Sequence, residues 1–184
     1  MSGTTGKPPR RGKPPAARGR PRTGARVAAV QALYQSEQSG EAAETVIDQF
    51  VRHRIGSLPD RTGHPSGGFE DGHVPEADVP LFARIVREAA RDAEAVDGIV
   101  VGHLGAGWPM MRLDPVLRAL LRAACTELRH GMEPPARVVI NEYLDIAHGF
   151  FGGEEPRFAN GVLDAMARSL RAGEFEGASR PASA

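Results

Sequence analysis

The stretch LDPVLRALLRAACTELRHG, residues 113–131, decides the fold. Asp114 followed by Pro115 is a typical helix start, because aspartate accepts hydrogen bonds from free backbone N–H groups and proline lacks one. Gly131 is a typical helix end. Between them, apolar side chains recur at the spacing of one helix face: Leu117, Leu120, Leu121, Ala124 and Leu128. The stretch therefore predicts a buried amphipathic helix.

Similar helical patterns fill most of the chain. They begin after Thr23, a plausible N-cap, include one helix of about 25 residues from Asp78 to His103, and end near Arg171. Aromatic residues make up only 5% of the 184 residues, which disfavours strands. The sequence predicts an all-α, single-domain helical bundle of six to seven helices over residues 23–171.

Three segments lack this periodicity. Residues 1–22 are rich in Gly, Pro, Lys and Arg, and we expect a disordered basic N-terminal arm. Residues 56–77 contain five Gly and three Pro, which predicts a long mobile loop inside the domain. Residues 172–184 are expected to form a disordered tail.

The formal net charge of zero hides an asymmetry. Residues 1–26 hold eight Lys and Arg and no acidic residue, so the other 158 residues carry a net charge of −8. A basic arm on an acidic body indicates a polyanionic partner at one end.

Several classes of function are disfavoured. The sequence shows no set of nucleophile, base and orienting residue, and its six histidines match no standard zinc spacing, so we expect a non-enzyme with no metal and no cofactor. Cys125 is the only cysteine, and no long apolar run or secretory signal occurs. These observations predict a cytoplasmic protein without a membrane segment.

The basic arm leads directly into the first predicted helix. The arm and this helix together supply the candidate RNA contacts. Arginines neutralise phosphates, glutamine pairs with base edges, and an aromatic ring stacks on an unpaired base. The candidates are Arg18, Arg20, Arg22, Arg26, Gln31 and Tyr34. Tyr34 also continues the apolar stripe and fits a core position equally well, and spacing alone favours a core position for Phe158.

Four segments together resemble the NusB family of transcription antitermination factors. They are VQALYQ (30–35), LDPVLRALLRAACTEL (113–128), PPARVVINEYLDIAHGFF (134–151) and RFANGVLDAM (157–166). Their order and spacing agree with the family, and the similarity covers roughly residues 22–171.

The resemblance implies an RNA-binding helical fold and its partners. It implies that the chain, with ribosomal protein S10 (NusE), recognises single-stranded boxA RNA of ribosomal RNA leaders and joins the antitermination complex on RNA polymerase. The family's arginine-rich helix start falls on Arg22 and Arg26. Its second RNA-contact patch falls on Glu154, Glu155 and Phe158, which reverses the spacing-based preference for a buried Phe158. The alternative is a helical protein-binding adaptor or homodimer without direct RNA binding.

Asn160 and Gly161 are poor helix formers that lie together in a helical pattern. A structural role explains them: Gly161 would allow close approach of a neighbouring helix, and a buried Asn160 would satisfy backbone groups. The expected neighbour is the helix that carries Asn141 and Glu142.

Overall fold

A computed structural model describes residues 21–56, 74–105, 108–131 and 133–176. Eight α-helices occur in these ranges: α1 Pro21–Ser39, α2 Ala43–His53, α3 Val79–Arg91, α4 Ala93–His103, α5 Pro115–His130, α6 Ala136–Phe150, α7 Glu155–Leu170 and α8 Gly173–Glu176. A 3-10 turn, Met110–Arg112, precedes α5. The all-α prediction is confirmed, with one or two more helices than expected.

Helix α5 is the centre of the bundle. It packs against α1, α3, α4, α6 and α7, and its predicted apolar face is buried. Its start is capped as expected, because Asp114 Oδ1 accepts hydrogen bonds from the backbone N–H groups of Val116 and Leu117 at 2.8 and 3.3 Å. Residues 113–131 therefore form the centre around which the neighbouring helices pack.

The expected long helix from residue 78 to 103 is divided at Asp92. Asp78 caps its start by accepting from the Leu81 N–H at 3.0 Å, as predicted. Asp92 then ends α3 and precedes α4, and its carboxylate accepts from Arg129 of α5 at 2.8 Å. The apolar spacing continues across this break, so periodicity alone could not reveal it.

Helix α1 begins at Pro21, two residues before the predicted cap Thr23 and inside the segment expected to be disordered. The rest of the arm, residues 1–20, lies outside the described residues. Gly24 has to be glycine, because an added Cβ would lie 1.9 Å from the Glu76 carbonyl oxygen. Gly24 thus allows the segment that precedes α3 to lie close against α1.

The ends of the predicted mobile loop are fixed to the bundle. Gly56 N–H donates to the Val74 carbonyl at 3.0 Å, Val74 N–H donates to the Arg54 carbonyl at 2.8 Å, and Val74 belongs to the core. Residues 57–73 lie outside the described ranges. The loop prediction is therefore wrong for Val74, which no periodic pattern could have assigned to the core.

The C-terminal boundary also differs from the prediction. Arg171 is buried and donates to the backbone carbonyls of Glu127, Leu128 and Pro134 at 2.7–2.8 Å. These bonds hold the chain beyond α7, and the one-turn helix α8 follows within the tail expected to be disordered. Residues 177–184 are not among those described. None of the helices in the described ranges is long and apolar enough to cross a membrane.

Candidate RNA interface

The predicted RNA contacts on α1 separate into exposed and buried residues. Arg22 is exposed in the first turn of α1, and Tyr34 lies about 18 Å farther along the helix with 38% of its surface exposed. Gln31 is half-buried, and its amide oxygen has no hydrogen-bond partner among the described residues. Arg18 and Arg20 lie outside the described ranges. Arg22 and Tyr34 are therefore the predicted RNA contacts on α1 that are exposed to solvent.

Arg26 is buried, and its predicted contact with RNA is wrong. Only 2% of its surface is exposed, and its Nε and Nη2 donate to the two carboxylate oxygens of Glu127 at 2.7 and 2.9 Å. Tyr143 donates its hydroxyl to the same carboxylate at 2.9 Å. Glu127 follows Arg26 by about a hundred residues, so no local sequence pattern could predict this pair. Arg26 thus joins α1 to α5 inside the core.

Burial and charge within this cluster shift the pKa values of Arg26 and Tyr143. Burial alone would lower the pKa of Arg26, but the hydrogen bond and charge of Glu127 raise it above the usual value. Burial and the Glu127 carboxylate raise the pKa of Tyr143, so its hydroxyl stays protonated and remains a donor. Glu142, predicted to be structural, accepts from the Thr23 hydroxyl at 2.6 Å and from Arg26 at 3.3 Å. The first turns of α1 are therefore fixed to α6 as well as to α5.

The start of α7 presents the second predicted patch. Glu154 is exposed, Glu155 and Phe158 are half-buried, and the exposed Arg157 has its Nη1 3.8 Å from a Glu154 carboxylate oxygen. The Phe158 ring packs beside Trp108, with 5.9 Å between ring centroids and an angle of 35°. Phe158 is therefore neither fully buried nor free: it packs against the core and beside Trp108, and part of its surface is exposed.

An open pocket of about 410 Å³ lies beside Phe158. Its lining comes from the end of α4 and the start of α7: His103, Glu154, Arg157, Phe158, Gly161 and Val162. His103 Nδ1 lies 2.7 Å from the Ile99 carbonyl oxygen. Because that carbonyl can only accept, Nδ1 is the donor, which holds the imidazole ring at the pocket wall.

The structure contradicts the structural roles predicted for Asn160, Gly161 and Asn141. Both asparagines are exposed, and a Cβ added at Gly161 would have no heavy atom within 4 Å. Helix α6 packs against α7, so the expected neighbouring helix is correct. Asn160 and Gly161, however, lie on the exposed surface of α7. No neighbouring atom therefore requires glycine at position 161.

Comparison with known proteins decides the family. The family model described as NusB family matches residues 23–168. The chain belongs to the NusB family. The resemblance carried by the four quoted segments is thereby confirmed.

Individual NusB proteins agree with this assignment. Transcription antitermination protein NusB of Granulibacter bethesdensis is 61% identical over 160 residues, which covers 87% of this chain and 95% of that protein. T. maritima NusB is 26% identical with a TM-score of 0.65, covering 85% of this chain and 98% of that chain. A crystal structure of the antitermination factors NusB and NusE in complex with double-stranded RNA contains a chain 25% identical to this one. Its TM-score is 0.59, and the match covers 80% of this chain and 96% of that chain.

Sequence reasoning missed two residues in this NusB family member: Trp108, which contacts Phe158, and Arg118, which holds the linker that carries Trp108. Trp108 is 53% exposed and lies in the linker between α4 and α5. Arg118, buried on α5, donates to the backbone carbonyls of Met110 and Leu113 at 3.3 and 3.1 Å and also pairs with Glu37 of α1. This clamp fixes the linker that carries Trp108. The sequence could have indicated Trp108, because it is the single tryptophan and lies beside Pro109. No local pattern indicates the role of Arg118.

Within the described ranges, no group of three or more His, Cys, Asp and Glu side chains is placed to hold a metal ion. Burial raises the pKa of the Cys125 thiol to about 12, so this cysteine is a small core side chain and not an activated nucleophile.

Proposed function

We propose that this protein is a transcription antitermination factor. With ribosomal protein S10 (NusE), it binds boxA RNA of ribosomal RNA leader transcripts and joins the antitermination complex on RNA polymerase, in the cytoplasm and without catalysing a reaction. The observation that carries the proposal is the 61% identity to a transcription antitermination protein over 87% of the chain. The complex of related NusB and NusE proteins with RNA supports the same partners.

The geometry supports two kinds of RNA contact. Phe158 and Trp108 form a half-exposed aromatic pair, and an aromatic ring stacks on bases that are not held in a duplex. Arg22 and the basic residues before it supply positive charge for phosphates. The carboxylates of Glu154 and Glu155 repel phosphates but can accept hydrogen bonds from base amino groups. These features favour single-stranded over double-stranded RNA.

A second candidate function is a protein-binding helical adaptor or homodimer. The observation in its favour is Met111, which is 76% exposed on the clamped linker and suits a protein contact. Size-exclusion chromatography with and without S10 separates the two candidates. An adaptor is expected to bind S10 or itself while the mixture leaves boxA RNA unbound.

The test of the proposed function is a titration of labelled single-stranded boxA RNA with this protein, with S10 and with both. We expect the tightest binding with both proteins and a steep loss of affinity as salt is raised, because released counterions drive phosphate binding. A duplex of the same sequence serves as the control and is expected to bind more weakly. Undetectable or salt-independent binding by the mixture would contradict the proposal.

Replacing Phe158 by alanine is expected to weaken boxA binding by about 5- to 150-fold, because a stacking aromatic contributes about 1–3 kcal/mol per base. The loss of folding stability should stay below the about 3–5 kcal/mol of a fully buried phenylalanine, since the ring is only half-buried. Fluorescence anisotropy measures the affinity, and urea denaturation measures the stability.

Phe175→Ala is the matched control for Phe158→Ala. Phe175 is also a half-buried phenylalanine, but it lies on α8, beyond the far end of α7, where Arg168 contacts its ring. Phe175→Ala should cost comparable stability and leave RNA affinity unchanged. Equal RNA affinity of the two variants would remove Phe158 from the interface.

A further inference from the structure

The carboxylate of Glu37, near the end of α1, binds two arginines of α5. Arg118 Nε lies 2.9 and 3.0 Å from its two oxygens, and Arg122 Nη1 donates to one of them. The Arg118 side chain is 4% exposed and that of Glu37 is 22% exposed, so water has little access to this ion pair. The hydrogen bond from Arg118 lowers the pKa of Glu37, which keeps the carboxylate charged at neutral pH.

Arg118 connects this ion pair to the linker between α4 and α5. Its Nη1 donates to the carbonyls of Met110 and Leu113, at the start of the 3-10 turn and directly after it. A guanidinium is planar and rigid, so the direction of Nη1 is fixed once Nε and Nη2 are bound to the Glu37 carboxylate. Glu37 therefore determines where Arg118 holds the linker.

The two arginines depend on Glu37 to different degrees. Arg122 also pairs with Asp97 of α4, with Nε–Oδ1 and Nη2–Oδ2 distances of 2.6 and 2.7 Å. Among the described residues, Glu37 is the carboxylate that pairs with Arg118. Loss of the Glu37 charge would thus leave Arg122 paired but Arg118 buried without a counterion, which is costly. The disturbance would fall on Arg118 and on the linker that it holds.

The linker carries side chains that the bundle leaves exposed. Trp108 is 53% exposed and Met111 is 76% exposed, whereas Met110 is buried and anchors the turn. Trp108 also packs beside Phe158 of α7. A surface segment that is ordered before its partner arrives loses less conformational entropy on binding. Holding the linker in one conformation therefore favours complex formation without an added contact.

We propose that Glu37 is a positioning residue for RNA binding: through Arg118 it keeps residues 108–113 ordered for the complex with boxA RNA and S10. Glu37 acts without touching the RNA. The inference rests on the proposed RNA-binding function, and it assigns part of the affinity to a largely buried ion pair.

Glu37→Gln tests this inference, with Asp97→Asn as its matched control. Each variant replaces one carboxylate of the same ion-pair network by a neutral amide of nearly equal size. Trp108 is the only tryptophan of the chain, so the tryptophan fluorescence of the free protein reports on the linker. We expect Glu37→Gln to increase acrylamide quenching of Trp108 and to weaken boxA RNA binding with S10 by about three- to tenfold, the ordering cost of one side chain. Asp97→Asn should change neither quantity, because Arg118 keeps its partner.

A double variant separates positioning from stability, and it is the test if Glu37→Gln does not fold. Glu37→Gln combined with Arg118→Met leaves no buried charge at residue 118 and should resist urea better than Glu37→Gln alone. The hydrogen bonds to the linker carbonyls are still missing, so we expect the weakened RNA binding and the increased Trp108 quenching to persist. Recovery of the unsubstituted protein's affinity would show that Glu37→Gln acts by destabilising the fold, and would overturn the inference.

The outcomes separate this inference from the proposed function. If the unsubstituted protein with S10 binds boxA RNA, and Glu37→Gln binds it equally well or leaves Trp108 quenching unchanged, the positioning role is wrong and the function stands. An equal loss in Asp97→Asn also overturns the positioning role, because the effect is then not specific to Arg118. If the unsubstituted protein with S10 binds no boxA RNA, both proposals fall.

Discussion

Replacing Arg26 by methionine is expected to lower the free energy of unfolding by about 3–5 kcal/mol. Methionine fills much of the same volume but leaves the Glu127 carboxylate buried, with the Tyr143 hydroxyl as its remaining short hydrogen bond within the cluster. An unpaired buried charge carries most of this cost. Urea denaturation monitored by circular dichroism measures it.

Two further variants identify the cause of the Arg26 effect. Arg26→Met combined with Glu127→Gln removes both charges and should recover part of the lost stability, because the neutral amide needs no counterion. Arg22→Met, in the exposed first turn of the same helix, should leave stability nearly unchanged and weaken RNA binding. A stable Arg26→Met variant with reduced RNA affinity would instead return Arg26 to the interface.

Neutralising the arm is the second change for which we expect a large effect. Glutamine in place of the six basic residues before α1 removes charge without changing the chain length; these are Lys7, Arg10, Arg11, Lys13, Arg18 and Arg20. If each contacts one phosphate of single-stranded RNA, the slope of log K against log salt should become shallower by about 4. Affinity at low salt should fall by about a hundredfold or more. Titrations at several salt concentrations measure both quantities.

The control for the arm variant removes exposed charge from another part of the protein. Arg52 and Arg87, exposed on α2 and α3, pair with Asp48 and Glu44, and their replacement by glutamine should leave the salt slope unchanged. An unchanged slope in the arm variant would mean that the arm contacts no phosphates and that the remaining surface supplies the RNA contacts.

Helices could be predicted from the sequence where the signals are local. The Asp114–Pro115 cap and the apolar face of α5 lie within 16 residues of one another, and both were correct. The break at Asp92 was missed because the apolar spacing continues through it, and its partner Arg129 lies in a different helix. Periodicity therefore identified helical segments better than it identified their ends.

The site was harder to predict because exposure depends on distant residues. Arg22 and Arg26 look alike in the sequence, yet Glu127 draws one of them into the core. Gly24 and Gly161 are both glycines within helices, but one lies against the Glu76 carbonyl and the other against open space. The resemblance to a family located the patch at the start of α7. The contribution of Trp108 became visible only in the structure, where its ring packs beside Phe158.

The backbone hydrogen bonds between residues 54–56 and Val74 bear on which insertions the chain tolerates. Gly56 and Val74, which flank residues 57–73, are adjacent in space, so a segment inserted between them joins two neighbouring points. Doubling the length of such a closed segment costs only about 0.6 kcal/mol of chain entropy. We therefore expect insertions between Gly56 and Val74 to add little to the entropy cost of folding, and the position suits the insertion of a fluorescent reporter or an affinity tag.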